Sequence, residues 1–319
     1  MRWLSWLLGA ALLAAVVAAG LHFAEERAFV RIVERAEPWW LAAALILQAG
    51  TYLAQGGVWR RVALQSGYAL ARREAFELGL AKLFADQALP SGGLSSSILV
   101  DRALAGRDLP SPVVKASVLI NLASYYLAYT VALVVALVIV TRRGQGNAII
   151  IVASALFLLF SLGVSGAILV MAGGRLRVAD RFGRVRPVRS AVDYLVAADR
   201  GLVRSPRVLA GTVALQGVII LLDAATVWTL ILALGERASA AGVFASFMVA
   251  SLFRTMGIMP GGLGTFEAAS VVTLRWAGVD LAAALSATLL FRGLSFWIPM
   301  LPGYWCSRRV VSERRRSIA

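Results

Sequence analysis

Cysteine and histidine are nearly absent from this 319-residue chain, which holds one of each, Cys306 and His22. A single thiol excludes an internal disulfide framework and any multi-cysteine metal site. A single imidazole removes histidine-based metal sites and Ser-His catalysis. Lysine is almost as scarce, with only Lys82 and Lys115, so the basic residues are arginines. Charge of either sign is sparse, at 15% of residues against about 25% in soluble domains. What fills the chain is apolar: 60% of residues, where soluble proteins hold roughly 45–50%. That composition specifies an all-α polytopic membrane protein. The net charge of +15, from 32 basic and 17 acidic residues, then belongs to loops on one side of a membrane and does not call for nucleic acid. Neither a cofactor nor a metal is expected.

Six apolar runs approach the roughly 20 residues that a helix needs to cross a bilayer. They lie near Trp3–Phe23, Trp39–Val58, Val113–Val140, Ala148–Ala172, Val208–Leu234 and Leu281–Trp305. The first follows Arg2 as a signal peptide would, but it runs into His22 and Phe23 with no A-x-A site and reads as a span. Arg60, Arg61, Arg72 and Arg73 follow the second run, and residues 173–207 carry Arg175, Arg177, Arg181, Arg184, Arg186, Arg189, Arg200, Arg204 and Arg207. Arg308, Arg309, Arg314, Arg315 and Arg316 close the chain, whereas Glu25, Glu26, Glu34 and Glu37 cluster between the first two spans. The positive-inside rule puts the basic segments in the cytoplasm and both termini with them, in a cell (inner, cytoplasmic) membrane. Only Arg142 and Arg143, on a short outer turn, dissent. Within the basic loop Val188, Val192, Leu195 and Leu202 recur at helical spacing. This reads as an amphipathic helix that either lies on anionic headgroups or packs on the membrane domain.

Two segments, Glu74–Ala105 and Ala241–Val279, are too polar or too broken for ordinary spans. Each holds an apolar helix that stops at a Pro-Gly loop and restarts: Pro90, Gly92 and Gly93 in one, Pro260, Gly261, Gly262 and Gly264 in the other. Proline bars helix continuation and glycines open conformations closed to other residues. Inside a membrane such a break survives only within protein or beside a water-filled cavity, so both segments read as re-entrant hairpins. Ala105-Gly106-Arg107-Asp108-Leu109 recurs as Ala277-Gly278-Val279-Asp280-Leu281, 172 residues on (277 − 105). Leu122–Tyr126 likewise parallels Gly293–Trp297, which sets Asn121 opposite Arg292. One membrane domain, 1–319, is therefore expected to hold two units, 74–140 and 241–305, as an inverted repeat. In such repeats matching Gly/Pro interruptions mark a binding site near the midplane.

Restarting helices present free N–H groups and a positive dipole end to anions. Ser95 and Ser96 open the helix after the first break, and Thr265 and Glu267 the helix after the second. Helix capping competes with anion binding for each of them. Gly262 and Gly264 do not make a dinucleotide loop, because no strand precedes them. Ionisable residues inside a membrane mark functional sites by default: here Lys82, Asp86, Asp223, Arg254, Glu267 and Arg292. Lys82 and Asp86, four residues apart, can neutralise each other. Asp223 has no partner nearby in sequence. Arg254 and Arg292 flank the second break and suit an oxyanion, unless either pairs with Glu267.

The run Pro260-Gly261-Gly262-Leu263-Gly264-Thr265-Phe266-Glu267-Ala268-Ala269, followed by Leu290-Phe291-Arg292-Gly293-Leu294-Ser295-Phe296-Trp297-Ile298-Pro299, resembles the C-terminal signature of the lysylphosphatidylglycerol synthase transmembrane domain family, also called the flippase-like domain family. The first half departs from that pattern: Ser95–Ser97 replace a Gly-Glu, and Asn121 stands where an arginine is common. Members with aminoacyl-lipid synthase activity carry a soluble catalytic domain after the membrane region, and this chain ends at Ala319 without one. The resemblance thus implies translocation of an anionic or aminoacylated phospholipid or a polyprenyl-phosphate-linked lipid, and not aminoacyl transfer. Its expected partners are that lipid and a lipid-biosynthesis enzyme or a second copy of the chain. A non-catalytic scaffold in envelope lipid synthesis is the competing reading. An intramembrane transferase ranks below it, since the carboxylates are scattered.

Overall fold

Residues 37–88, 94–107, 109–172, 186–256 and 260–317 are described by the structure, a computed structural model. The expected first span, the first break at Pro90, Gly92 and Gly93, and residues 173–185 lie outside them. Among the described residues all regular structure is helical. The chain runs through α1 (Pro38–Gln65), α2 (Arg72–Ala88), α3 (Leu94–Ala105), α4 (Ser111–Arg142), α5 (Ala148–Ala172), α6 (Arg186–Val196), α7 (Arg200–Arg204) and α8 (Pro206–Ala233). It continues with α9 (Ala240–Met256), a 3-10 turn (Pro260–Gly262), α10 (Thr265–Trp276), α11 (Leu281–Arg292), a π segment (Gly293–Trp297) and α12 (Ile298–Ser317). Five stretches are long and apolar enough to span a membrane: α1, α4, α5, α8 and the α11–α12 stretch Leu281–Arg309.

The element lengths repeat. α1 and α8 both have 28 residues and both open on a proline, whose missing N–H is one that a helix start leaves unpaired anyway. They lie 168 residues apart (206 − 38). α2 and α9 both have 17 residues and the same offset (240 − 72), and α3 and α10 both have 12. At 1.5 Å per residue the longer hairpin arms reach about 25 Å and the shorter about 18 Å, less than the roughly 30 Å of bilayer hydrocarbon. α2 also packs on the Pro260–Gly262 turn of the second hairpin.

The equivalent helices α1 and α8 pack along each other in opposite directions. The Glu37 N–H donates to the Ala233 carbonyl (2.9 Å) at one end, and the Arg61 guanidinium to the Arg207 carbonyl (3.2 Å) at the other. Between them Gly50 faces Leu222 and Gly57 faces Leu215. The helices that the offset of 168 pairs thus run antiparallel, the relation an inverted repeat requires. The partition of the core agrees: one cluster joins α2, α3 and the first half of α4, and the other joins α9, α10, α11 and the second half of α4. Small residues allow the close crossings. A Cβ on Gly56 would stand 2.6 Å from the Ala75 carbonyl oxygen of α2. Outward faces of α1, α4 and α5 expose Leu45, Ile46, Leu53, Val131, Val135, Ile149, Leu156, Leu159 and Phe160, the surface that a hydrocarbon solvent selects.

Three expectations on boundaries need correction. The second span does not stop at Val58; α1 runs on through Arg60 and Arg61 to Gln65, because these arginines reach carbonyls of Leu70 and Arg207 with their stems along the helix. The last span is interrupted by the π segment. The basic-loop helix is two helices: α6 ends at Val196, and Asp199 starts α7 by accepting the Leu202 N–H at 2.9 Å. Their apolar face is already covered, with Val192 and Leu202 buried and both helices packed on α4 and α5. Tyr194 donates to Asp101 of α3 at 2.8 Å, and burial first, then that carboxylate, pushes its hydroxyl well above the ordinary phenol range. Asp199→Ala is expected to lower stability by about 1 kcal/mol, the worth of an N-cap, measured as a drop in melting temperature in detergent.

Candidate functional site

The second break is built by three left-handed glycines. Gly261, Gly262 and Gly264 have φ of 59°, 65° and 80°, a region where side chains other than hydrogen are strained. Space forbids a side chain as well. A Cβ on Gly261 would fall 2.3 Å from the Phe296 ring, and one on Gly262 would fall 2.3 Å from Arg254 Cγ. The chain restarts as α10 with Glu267 three residues after Gly264, and Glu267 Oε2 accepts the Gly264 N–H at 2.6 Å. Thr265 donates its hydroxyl inward to the Gly262 carbonyl at 3.0 Å.

Glu267 is wholly buried and its other oxygen accepts from Arg292 Nε at 2.6 Å, with Arg292 only 4% exposed. The same guanidinium donates to the Gly261 carbonyl (3.1 Å) and stacks on the Phe296 ring at 4.4 Å. The two charges thus lock the break shut from inside, one holding its N–H end and the other its carbonyl end. Of the two readings open in the sequence, a phosphate at Arg292, Thr265 and the start of α10 or an Arg292–Glu267 pair, this arrangement has the pair. A carboxylate already occupies that dipole end, and Arg292 has its partners.

Arg254, on α9 just before the break, is different. It is half-buried and lies 6.0 Å from the Phe266 ring centroid. Among the described residues it forms no ion pair within 4.0 Å. It lies within electrostatic range of Asp223 on α8. Asp223, which sequence left without a partner, is held from α1: Thr51 Oγ1 and Gln48 Nε2 donate to Oδ1 at 3.2 and 3.4 Å. Gln55, further along the same face of α1, has its Nε2 buried without an acceptor. Two neighbours satisfy carbonyls of the π segment, Tyr52 donating to Leu294 O (2.5 Å) and Gln87 to Ser295 O (2.9 Å). These α1 residues were missed by sequence reasoning. Gln48, Thr51, Tyr52 and Gln55 fall at helical spacing in an apolar span, and polar groups there are costly enough to be a signal.

The first unit contributes less. Lys82 and Asp86 pair at 2.6 Å. Asn121 accepts from Gln216 of α8 at 3.1 Å, and this contact does not bring it to the second break. Ser96 is buried, and the Ser95 side chain lies outside the described residues. At the offset of 168, Asp86 occupies on α2 the place of Arg254 on α9, and Gln55 that of Asp223. The profile of the lysylphosphatidylglycerol synthase transmembrane region matches residues 6–303. The chain belongs to that family. Similar stretches occur in two proteins called UPF0104 membrane proteins. The one from Methanothermobacter thermautotrophicus is 29% identical over 132 residues, 40% of this chain and 39% of the relative. The one from Pyrococcus horikoshii is 33% identical over 81 residues, 25% of this chain and 24% of the relative. The matched stretches therefore span well under half of either relative.

Proposed function

We propose that this chain carries the headgroup of an anionic amphiphile across the bilayer between its two hairpins, the tails staying in lipid. The substrate class is an anionic or aminoacylated phospholipid or a polyprenyl-phosphate-linked lipid. Arg254 is the observation that carries the reading. It is an arginine beside a helix break in the membrane interior, with no carboxylate within 4.0 Å among the described residues. A guanidinium in that position binds an oxyanion strongly. Gln55 Nε2 on α1, buried without an acceptor among the described residues, offers a further donor for an anion. Under this reading the end bearing Arg60, Arg61, Arg204 and Arg207 faces the cytoplasm. The exposed Arg189, Arg200 and Arg204 draw anionic headgroups toward the first hairpin. Glu267 and Arg292 serve the frame.

Lipid translocation by the purified chain in liposomes, followed with headgroup-labelled phosphatidylglycerol and polyprenyl phosphates, tests the proposal. Arg254→Gln is expected to lower the rate about 10- to 100-fold, the worth of a charged hydrogen bond of about 1.5–3 kcal/mol, with melting temperature unchanged. Arg254→Lys keeps part of the rate because it keeps charge without the bidentate fork. A wild-type protein that moves none of these lipids, or an Arg254→Gln variant as fast as wild type, overturns it.

A further inference from the structure

Asp223 and Gln48 face each other as a carboxyl and a carboxamide, a combination whose hydrogen bonding depends on the carboxyl proton. When the acid is protonated, an acid and a primary amide close a ring of two bonds: amide N–H to acid oxygen, acid O–H to amide oxygen. When it is ionised, only the first bond exists and the amide oxygen has no donor. The structure has that second arrangement. Gln48 Nε2 reaches Asp223 Oδ1 at a long 3.4 Å, while Gln48 Oε1 is buried without a hydrogen-bond partner among the described residues, on a residue only 3% exposed. A buried acceptor left empty costs about 1–3 kcal/mol, so it points to a missing donor.

Charge supplies the occasion. Asp223 on α8 and Arg254 on α9 lie within electrostatic range and offset each other. A phosphate that draws Arg254 to itself leaves Asp223 as an unbalanced negative charge in the membrane interior, which is strongly unfavourable. One proton on Asp223 restores neutrality and fills Gln48 Oε1 in the same step. We infer that Asp223 takes up one proton each time an anionic headgroup engages Arg254, so that the lipid and the proton cross together. The O–H bond forms between a solvent proton and a carboxylate oxygen of Asp223, and it breaks again when the headgroup leaves and Arg254 returns. No other bond changes. The inference rests on the proposed function, whose site it shares, and adds to it a source of energy, the proton gradient.

The groups around Asp223 are few. Tyr52 faces it from α1 and Arg254 from α9; Tyr129 of α4 and Arg292 of α11 act on Arg254 in turn. Tyr52 donates its proton to the Leu294 carbonyl and Arg292 is tied to Glu267, so the proposal assigns the proton to Asp223. Thr51 donates to the ionised form (3.2 Å) and is a positioning residue.

Binding of short-chain phosphatidylglycerol to the full chain in detergent, measured by calorimetry in weakly buffered solution with a pH electrode, reads lipid and proton separately. Wild type is expected to take up about one proton per lipid, with affinity falling about tenfold per pH unit once Asp223 is ionised in the empty protein. Asp223→Asn imitates the neutral acid, so it should bind lipid with no proton uptake and no pH dependence. Thr51→Val removes a donor to the carboxylate and should move the midpoint to higher pH. Infrared pH-difference spectra should show a protonated-carboxyl band in wild type that Asp223→Asn lacks. Lipid bound without proton uptake overturns the inference and leaves the proposed function standing. So does affinity that follows sodium and not pH, which would make the cargo a metal ion. A chain that binds no anionic lipid at all overturns both.

Discussion

Glu267→Gln is expected to destabilise the protein by about 3–5 kcal/mol, the range seen when one partner of a buried ion pair is removed. The reason lies in the geometry at the second break. Glu267 is wholly buried and serves two donors, Arg292 Nε and the Gly264 N–H, each at 2.6 Å. A glutamine has one acceptor oxygen, so its NH2 must face one of these donors, and the Arg292 charge is left uncompensated under the Phe296 ring. The pair Glu267→Gln with Arg292→Met should recover part of the loss, since an apolar replacement of a buried pair is often neutral. Recovery stays partial because the Gly261 carbonyl loses its Arg292 donor, worth about 1–3 kcal/mol. The comparison is made by thermal melting of wild type and the two variants in detergent. A single variant as stable as wild type would show that the pair does not hold the break.

Gly262→Ala is the second large effect. Its φ of 65° alone sets a penalty of about 1–2 kcal/mol for alanine. The new methyl would also stand 2.3 Å from Arg254 Cγ and 2.9 Å from Arg254 Cα. The side chain can swing, but the backbone of α9 cannot move without separating the hairpin arms. Stability should therefore fall by more than about 2 kcal/mol, and translocation should fall with it because Arg254 is displaced. Gly278→Ala is the control: φ is 93°, yet nothing lies within 4 Å of its Cβ position. It carries backbone strain without crowding. Equal losses at the two positions would show that strain alone matters and that Arg254 is not seated by Gly262.

The spans were legible because a bilayer imposes composition over a fixed length, and the runs at 113–140 and 148–172 match α4 and α5 within a few residues. The ends of elements were harder. Arg60 and Arg61 look like a loop signal but sit on α1, and Asp199 splits the basic-loop helix in two by capping. Of the site, the glycines of the second break were readable from the need for unusual backbone, and Glu267 with Arg292 from the cost of charge in lipid. Their choice of each other was not, because 25 residues separate them and Arg254 stood closer in sequence. Asp223 shows the same limit more sharply. Its donors lie 172 and 175 residues away on α1, and only the antiparallel packing of α1 on α8 brings them together.

That packing carries a kinetic meaning. Glu37 to Ala233 at one end and Arg61 to Arg207 at the other hold two helices of equal length antiparallel. Under the proposed function, a passenger entering from either leaflet meets the start of one of these helices and the end of the other, so this pair by itself favours neither direction. On that reading, a preferred direction would have to come from positions where the two halves differ, among them Gln55 against Asp223, Asp86 against Arg254 and Asn121 against Arg292. Exchanging side chains at these pairs should then shift the balance between the two directions without touching the architecture.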